Sequence, residues 1–262
     1  MRLIFIRHGE PDYRSDGLTE KGKKDAEILA ERIKTWRVDK IYASPFGRAL
    51  STAEPSLKAL GMEATIVPWL REYSYPITNP THGEQSVCWD FIPSDWADDP
   101  VMYTESEWLD CVPANQNPDL KEQYKAVIEG FDDLLAQHGY LRTGKYYINM
   151  KTPKNRRITA TSIDRHIHVA NELPDEDAGE TVLFFCHFGV TCLMLSHLIN
   201  APFYAITHGI VIPTAGISIV NSEERWDDQV SFRIQTLGDV SHLLAAGEKI
   251  SSAGSFAPLF QK

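Results

Sequence analysis

Leu3-Ile4-Phe5-Ile6-Arg7-His8-Gly9-Glu10, near the start of a 262-residue chain, sets four continuous apolar residues directly before an arginine, a histidine and a glycine. A continuous apolar run, as opposed to an alternating one, marks a strand covered on both faces, the pattern of a parallel sheet. It returns at Thr181-Val182-Leu183-Phe184-Phe185-Cys186, which runs into His187-Phe188-Gly189. Two buried strands that each end in an imidazole decide the reading, because open α/β sheets bind their ligands at the carboxyl ends of the strands.

Working outward, Thr19 reads as the N-cap of a helix whose apolar residues Ala26, Leu29, Ala30 and Ile33 share one face. Lys40 to Ser44 reads as a second strand. Pro45 then suits the first position of a helix through Arg48, Ala49, Thr52 and Ala53 to about Leu60, with Gly61 as its stop. Glu63 to Leu70 is a third strand candidate. Helical spacing returns from Leu120 to His138 and from Val190 to Ile199, and Gly216 to Asn221 and Val230 to Thr236 read as a late pair of strands. Strands alternating with helices predict a three-layer α/β/α sandwich around a mostly parallel sheet, one domain spanning residues 1–262. From Tyr73 the pattern breaks. Prolines at 76, 80, 93, 100, 113 and 118 punctuate short aromatic pieces, so residues 73–180 are expected as an inserted cap, first irregular, then helical, then polar.

The chain carries 26 Lys plus Arg against 36 Asp plus Glu, a net charge of -10, with 43% hydrophobic residues, enough for a sizeable core. The acidic balance and the lack of a long basic cluster argue against nucleic acid and against anionic membrane surfaces as partners. Four scattered cysteines without a C-x-x-C pair suggest neither a zinc knuckle nor a disulfide framework. The apolar run before Arg7 is too short for a signal-peptide core, and no stretch approaches the roughly 20 apolar residues of a membrane helix, so a cytoplasmic protein is expected. No helix face is singled out for self-association, which leaves a homodimer open.

Arg7 fixes a cation beside His8 at a strand end. One strand later Arg48 falls in the first turn of its helix, where free N–H groups and the helix dipole favour an anion and a guanidinium adds a bidentate fork for phosphate oxygens. His187 ends the other buried strand, and Glu72, in Leu70-Arg71-Glu72-Tyr73, follows the third strand candidate. Two arginines, two histidines and a carboxyl on one crevice are the equipment for phosphoryl transfer through a histidine nucleophile.

These residues stand in motifs that resemble the histidine phosphatase superfamily, the phosphoglycerate mutase-like fold. The motifs are Arg7-His8-Gly9-Glu10, Leu18-Thr19-Glu20-Lys21-Gly22, Ser44-Pro45-x-x-Arg48-Ala49-x-x-Thr52-Ala53, Leu70-x-Glu72, Gly83-Glu84-x-Ser86 and Cys186-His187-Phe188-Gly189-Val190. They cover residues 1 to about 90 and 181 to about 200 in the family's order. The resemblance implies His8 as the nucleophile that becomes a phosphohistidine, Arg7, Arg48 and His187 as the phosphate pocket, and Glu72 as proton donor with Glu84 in reserve. It implies no metal and no cofactor. The chain departs from the family in having Pro11 and Arg14 where Thr and Asn are common, with Arg14 a candidate rim cation. It also has Phe188 after His187, and Ser74-Tyr75-Pro76 after Glu72.

Residues 73–120 hold nine acids and no Lys or Arg, together with Trp89, Trp96 and Trp108. An acidic, aromatic cap would repel a second anionic group and admit a neutral, aromatic or cationic leaving group. In the other reading the tryptophans form a satellite core and the acids face solvent. The expected activity is hydrolysis of a small phosphorylated metabolite. A phosphoprotein phosphatase, a phosphate-binding module without turnover and, further off, a phosphoglycerate mutase are the alternatives.

Overall fold

The computed structural model describes residues 1–261 apart from residues 106, 152–178, 226–227 and 256. The polar end of the expected insertion therefore lies outside the described residues. The strands are β1 (Arg2–Arg7), β2 (Pro11–Asp12), β3 (Gly17–Leu18), β4 (Lys40–Ala43), β5 (Thr65–Ile66), β6 (Pro76–Thr78), β7 (Gln85–Val87), β8 (Tyr140–Thr143), β9 (Tyr146–Asn149), β10 (Thr181–Cys186), β11 (Ile217–Arg225) and β12 (Gln229–Asp239). The helices are α1 (Glu20–Ile33), α2 (Gly47–Leu60), α3 (Pro93–Trp96), α4 (Val112–Asn115), α5 (Asp119–Gln137), α6 (Phe188–Ile199), α7 (Phe203–Gly209) and α8 (Ser241–Ala245).

Eight strands form one sheet in the order β5-β4-β10-β1-β11-β12-β9-β8. β5, β4, β10 and β1 pair in parallel, and the remaining pairings are antiparallel, so β11 and β9 oppose the other six. The continuous apolar runs divide by strand alternation. Leu3, Phe5 and Phe184 face one layer with Phe131, Leu134 and Leu135 of α5 and Val190 and Leu193 of α6. Ile4, Ile6, Leu183 and Phe185 face the other layer with Leu29 and Ile33 of α1 and Ala53 of α2. This two-sided burial is the α/β/α sandwich that the sequence predicts.

Local chemistry sets the helix ends. Thr19 accepts the Gly22 N–H as N-cap of α1, and Gly61 ends α2 in the left-handed region. α2 begins at Gly47 and not at Pro45, with Phe46 as an N-cap whose side chain supplies no hydrogen bond. β5 has two residues, after which Pro68–Leu70 forms a 3-10 turn.

The stretch expected as an insertion divides in two. Its first part holds the β6–β7 hairpin and short helices around a buried Trp108, which packs on Tyr73, Tyr124, Phe203 and Tyr204. α5 and the β8–β9 hairpin belong to the main layers: α5 covers the sheet, and the hairpin extends its edge. Of the acids in the first part, Asp110 pairs with Lys121 and Glu105 with Lys145, while Asp95 and Asp99 bind local backbone N–H groups. Trp89 packs edge-on against Phe188.

Candidate active site

The parallel register brings three strand ends side by side. His8 N–H donates to the Cys186 carbonyl at 3.0 Å, and Ser44 N–H to the Phe185 carbonyl at 2.9 Å. Arg7 and His8, Ser44 with the start of α2, and His187 thus leave the sheet at one level. The His8 and His187 rings lie 5.1 Å apart between centroids. His8, His187, Arg7 and Arg48 are all buried.

The His8 ring is held in one tautomer. A carbonyl can only accept, so the 2.7 Å contact of His8 Nδ1 with the Gly9 carbonyl fixes the proton on Nδ1 and leaves the Nε2 lone pair free. Burial and the neighbouring Arg7 charge push its pKa down to about 3, so the ring is neutral at physiological pH. His187 Nε2 meets Ser44 Oγ at 2.7 Å, and the same hydroxyl accepts the Phe46 N–H. With the serine donating, the imidazole proton sits on Nδ1, which is buried without a protein partner. Burial also lowers the His187 pKa, helped by His8.

Both guanidiniums commit one nitrogen to the protein. Arg7 Nη1 donates to the Ile212 carbonyl at 2.6 Å, and its guanidinium lies against Phe188 and the backbone of Gly254. Arg48 Nη1 donates to Asp16 Oδ1 at 2.6 Å and packs on the Phe46 ring. In each, Nε is buried with no partner among the described residues. An unpaired buried donor costs about 1–3 kcal/mol. With His187 Nδ1, three such donors belong to the residues that surround the His8 ring, His187 at 5.1 Å between centroids and both arginines near enough for their charges to act on it, and an anion would satisfy such donors.

Glu72 follows the 3-10 turn after β5 and is partly buried. Its Oε1 accepts N–H groups from Tyr73 at 2.9 Å and Val190 at 3.2 Å, the latter in the first turn of α6. Desolvation raises its pKa against the pull of Arg7. The carboxyl therefore holds a proton beyond the usual range while staying beside the cationic pair.

Two candidates are exposed, unlike the buried cluster. Arg14 is exposed on the β2–β3 turn, where Asp12 accepts its backbone N–H and the Ser15 hydroxyl and holds the turn outward. Glu84 is exposed in the β6–β7 turn, where its carbonyl accepts the Asn79 N–H. Three participants escape the sequence reading: Asp16, Ser44 as partner of His187, and the segment around Gly254 beside Arg7. Ser44 stands in a quoted motif, whereas nothing local in the sequence marks the other two. Among the described residues, no group of three or more His, Cys, Asp or Glu side chains is set to hold a metal ion.

Residues 3–107 match the family model described as histidine phosphatase superfamily (branch 1). Over those residues, which hold Arg7, His8, Arg48 and Glu72, the chain is similar to that superfamily. Among curated proteins it is 35% identical over 81 residues to a probable phosphoglycerate mutase of Photorhabdus laumondii, covering 28% of this chain and 38% of that protein. It is 33% identical over 72 residues to phosphoserine phosphatase 1 of Hydrogenobacter thermophilus, covering 24% and 34%. The chain thus spans well under two thirds of the curated relatives it matches. Among solved structures, a phosphoserine phosphatase variant from Entamoeba histolytica in complex with phosphoserine aligns with a TM-score of 0.53 at 18% identity, over 92% of this chain and 98% of that one. A mycobacterial glucosyl-3-phosphoglycerate phosphatase aligns at 0.51 and 15%, over 90% and 98%. At such identities these two structures speak to the superfamily fold alone.

Proposed function

We propose that the chain is a member of the histidine phosphatase superfamily, a cytoplasmic hydrolase of small phosphomonoesters that works through a phosphohistidine at His8 and needs no metal or cofactor. The observation that carries the reading is the neutral His8, protonated on Nδ1, beside Arg7, Arg48 and His187, each of which keeps a buried donor with no partner among the described residues. The Nε2 lone pair attacks phosphorus and the bond to the leaving oxygen breaks, with Glu72 giving that oxygen its proton. Arg7, Arg48 and His187 hold the phosphoryl oxygens as charge spreads over them. Glu72, now a carboxylate, takes a proton from water, whose oxygen attacks phosphorus. The N–P bond then breaks and its electrons return to Nε2. Residues 73–118 act as the cap, touching the site through Trp89 on Phe188.

The curated relatives are divided between mutase and phosphatase names. Hydrolysis is the better reading because a mutase must hold a second anionic group of its substrate, and the one extra cation of the loop, Arg14, is exposed to solvent while the cluster is buried. The four free, buried cysteines suit a reducing compartment.

The test is rapid-quench labelling with a radioactive phosphomonoester, run with and without a chelator. An acid-labile, base-stable phosphoenzyme that forms at the rate of turnover, survives chelation and vanishes in His8→Ala is expected. Isomerisation of 3-phosphoglycerate outpacing its hydrolysis and that of p-nitrophenyl phosphate would overturn the hydrolase reading.

A further inference from the structure

Asp16 takes no part in the phosphoryl-transfer steps, yet it touches a residue that does. It sits with φ +48° in the left-handed region, which aspartate tolerates better than most side chains, on the turn that joins β2 to β3. From there its carboxylate reaches residues 31 and 32 positions further on. Oδ2 accepts the Gly47 N–H at 2.7 Å and Oδ1 accepts Arg48 Nη1 at 2.6 Å. A side chain on Gly47 would collide with the Asp16 carbonyl, so the close approach of turn and helix requires glycine there. α2 has no cap of its own, because Phe46 cannot supply one, and Asp16 provides it from another part of the chain.

We propose that Asp16 is a positioning residue that sets Arg48 for the phosphoryl group, an inference that rests on the phosphate-handling role of Arg48 in the hydrolase reading. One carboxylate oxygen fixes the backbone from which Arg48 departs. The other fixes the outer end of its guanidinium. An arginine held at both ends presents its remaining donors in one orientation, and the buried Arg48 Nε is such a donor, without a protein partner. Fixing those donors in advance spares the reorganisation that a free side chain undergoes as the anion binds. Asp16 also lies near enough for its charge to act on His8. A plain helix cap would explain the Gly47 bond but not the second bond to Arg48.

The test is a double-mutant cycle read by calorimetric binding of inorganic phosphate and by hydrolysis of p-nitrophenyl phosphate. Asp16→Gly keeps the left-handed backbone and removes the carboxylate, and Asp16→Asn keeps one acceptor. In an otherwise wild-type chain, Asp16→Gly is expected to weaken phosphate binding by about tenfold and to raise KM, with Asp16→Asn in between. In an Arg48→Ala background the same change is expected to have no further effect on binding, whatever it does to thermal stability. A loss of equal size in both backgrounds, or unaltered phosphate affinity in Asp16→Gly with a native melting profile, would overturn the proposal. Phosphate binding separates this result from the hydrolase reading: a wild type that binds phosphate but turns nothing over sinks that reading and leaves the cycle intact, and one that binds no phosphate sinks both.

Discussion

In the proposed hydrolysis, Glu72 is the residue on which the chemistry of the leaving group turns. Burial pushes its pKa up, while Arg7 and two backbone N–H groups pull it down, with burial the stronger. A carboxyl whose raised pKa lets it keep its proton to higher pH than an ordinary glutamate can act as an acid toward an alkoxide, a poor leaving group that needs one, whereas p-nitrophenolate leaves without help. Glu72→Gln is therefore expected to lower kcat on alkyl phosphates by roughly 10²- to 10³-fold and on p-nitrophenyl phosphate far less. The pH profile has the same sign. Wild-type hydrolysis of alkyl phosphates should fall as pH rises through the raised pKa, and the glutamine variant should lack that alkaline limb. Steady-state rates on the two substrates across pH check both, and an equal loss on each substrate would remove Glu72 from the acid role. Phe188 illustrates a different kind of residue. Its ring lies on Arg7 and against Trp89, so the segment after Glu72 meets the buried arginine–histidine cluster through an apolar contact.

At the scale of elements, three parallel strand ends carry the cluster and the segment after α8 closes one side of it. Ser251 donates to Glu10, tying that segment to the loop after His8, and Gly254, at φ +63°, lies so close to Arg7 that a Cβ there would fall 2.5 Å from Nη2. A methyl group there would strain a left-handed backbone and displace a guanidinium already fixed by the Ile212 carbonyl. Gly254→Ala should therefore raise KM for p-nitrophenyl phosphate several-fold with a smaller change in melting temperature. KM at wild-type level in a folded variant would show that the segment merely lies nearby. The strands that lead into the site are legible in the sequence because both runs, Leu3–Ile6 and Thr181–Cys186, are apolar on both faces, and only a covered sheet explains that. Arg7, His8 and His187 are legible because charged and polar residues placed directly after such runs have one place to go, the sheet edge. The β8–β9 hairpin is obscured since its strands are four residues long and sit at an edge with exposed and buried positions mixed. Asp16 and Gly254 are illegible for another reason. Their partners are set by the approach of loops distant in sequence, 32 residues away for Arg48 and far longer for Arg7, and no local spacing records that.

For the whole molecule, the charge of -10 gathers in one place. Setting aside the nine acids of residues 73–120 leaves 26 basic against 27 acidic residues, a net of -1. That acidity lies along the covering segment, where Asp110 pairs with Lys121 of α5 and Glu105 with Lys145 of the β8–β9 turn, and the buried cluster remains cationic. The cluster should dominate a distinctive part of the stability profile. His8 has a folded pKa of about 3 against 6.5 for a free histidine, so between those values the unfolded chain binds a proton that the folded chain refuses. Stability from this residue is fully present above pH 6.5 and is lost as pH falls toward 3. His187 adds in the same direction, and Glu72, with its raised pKa, acts in the opposite one. Surface acids also lose charge in this range and relieve repulsion, which blurs the raw curve for the wild type. Comparison with His8→Gln removes that term, because both chains carry the same acids. Urea unfolding between about pH 6.5 and 4.5 should give a wild-type stability that falls more steeply with acid than that of the variant. The difference in slope approaches one proton, about 1.4 kcal/mol per pH unit. Parallel slopes would mean that His8 takes up its proton in the folded state as readily as in water, and a ring that does so is neither buried against Arg7 nor kept neutral for attack.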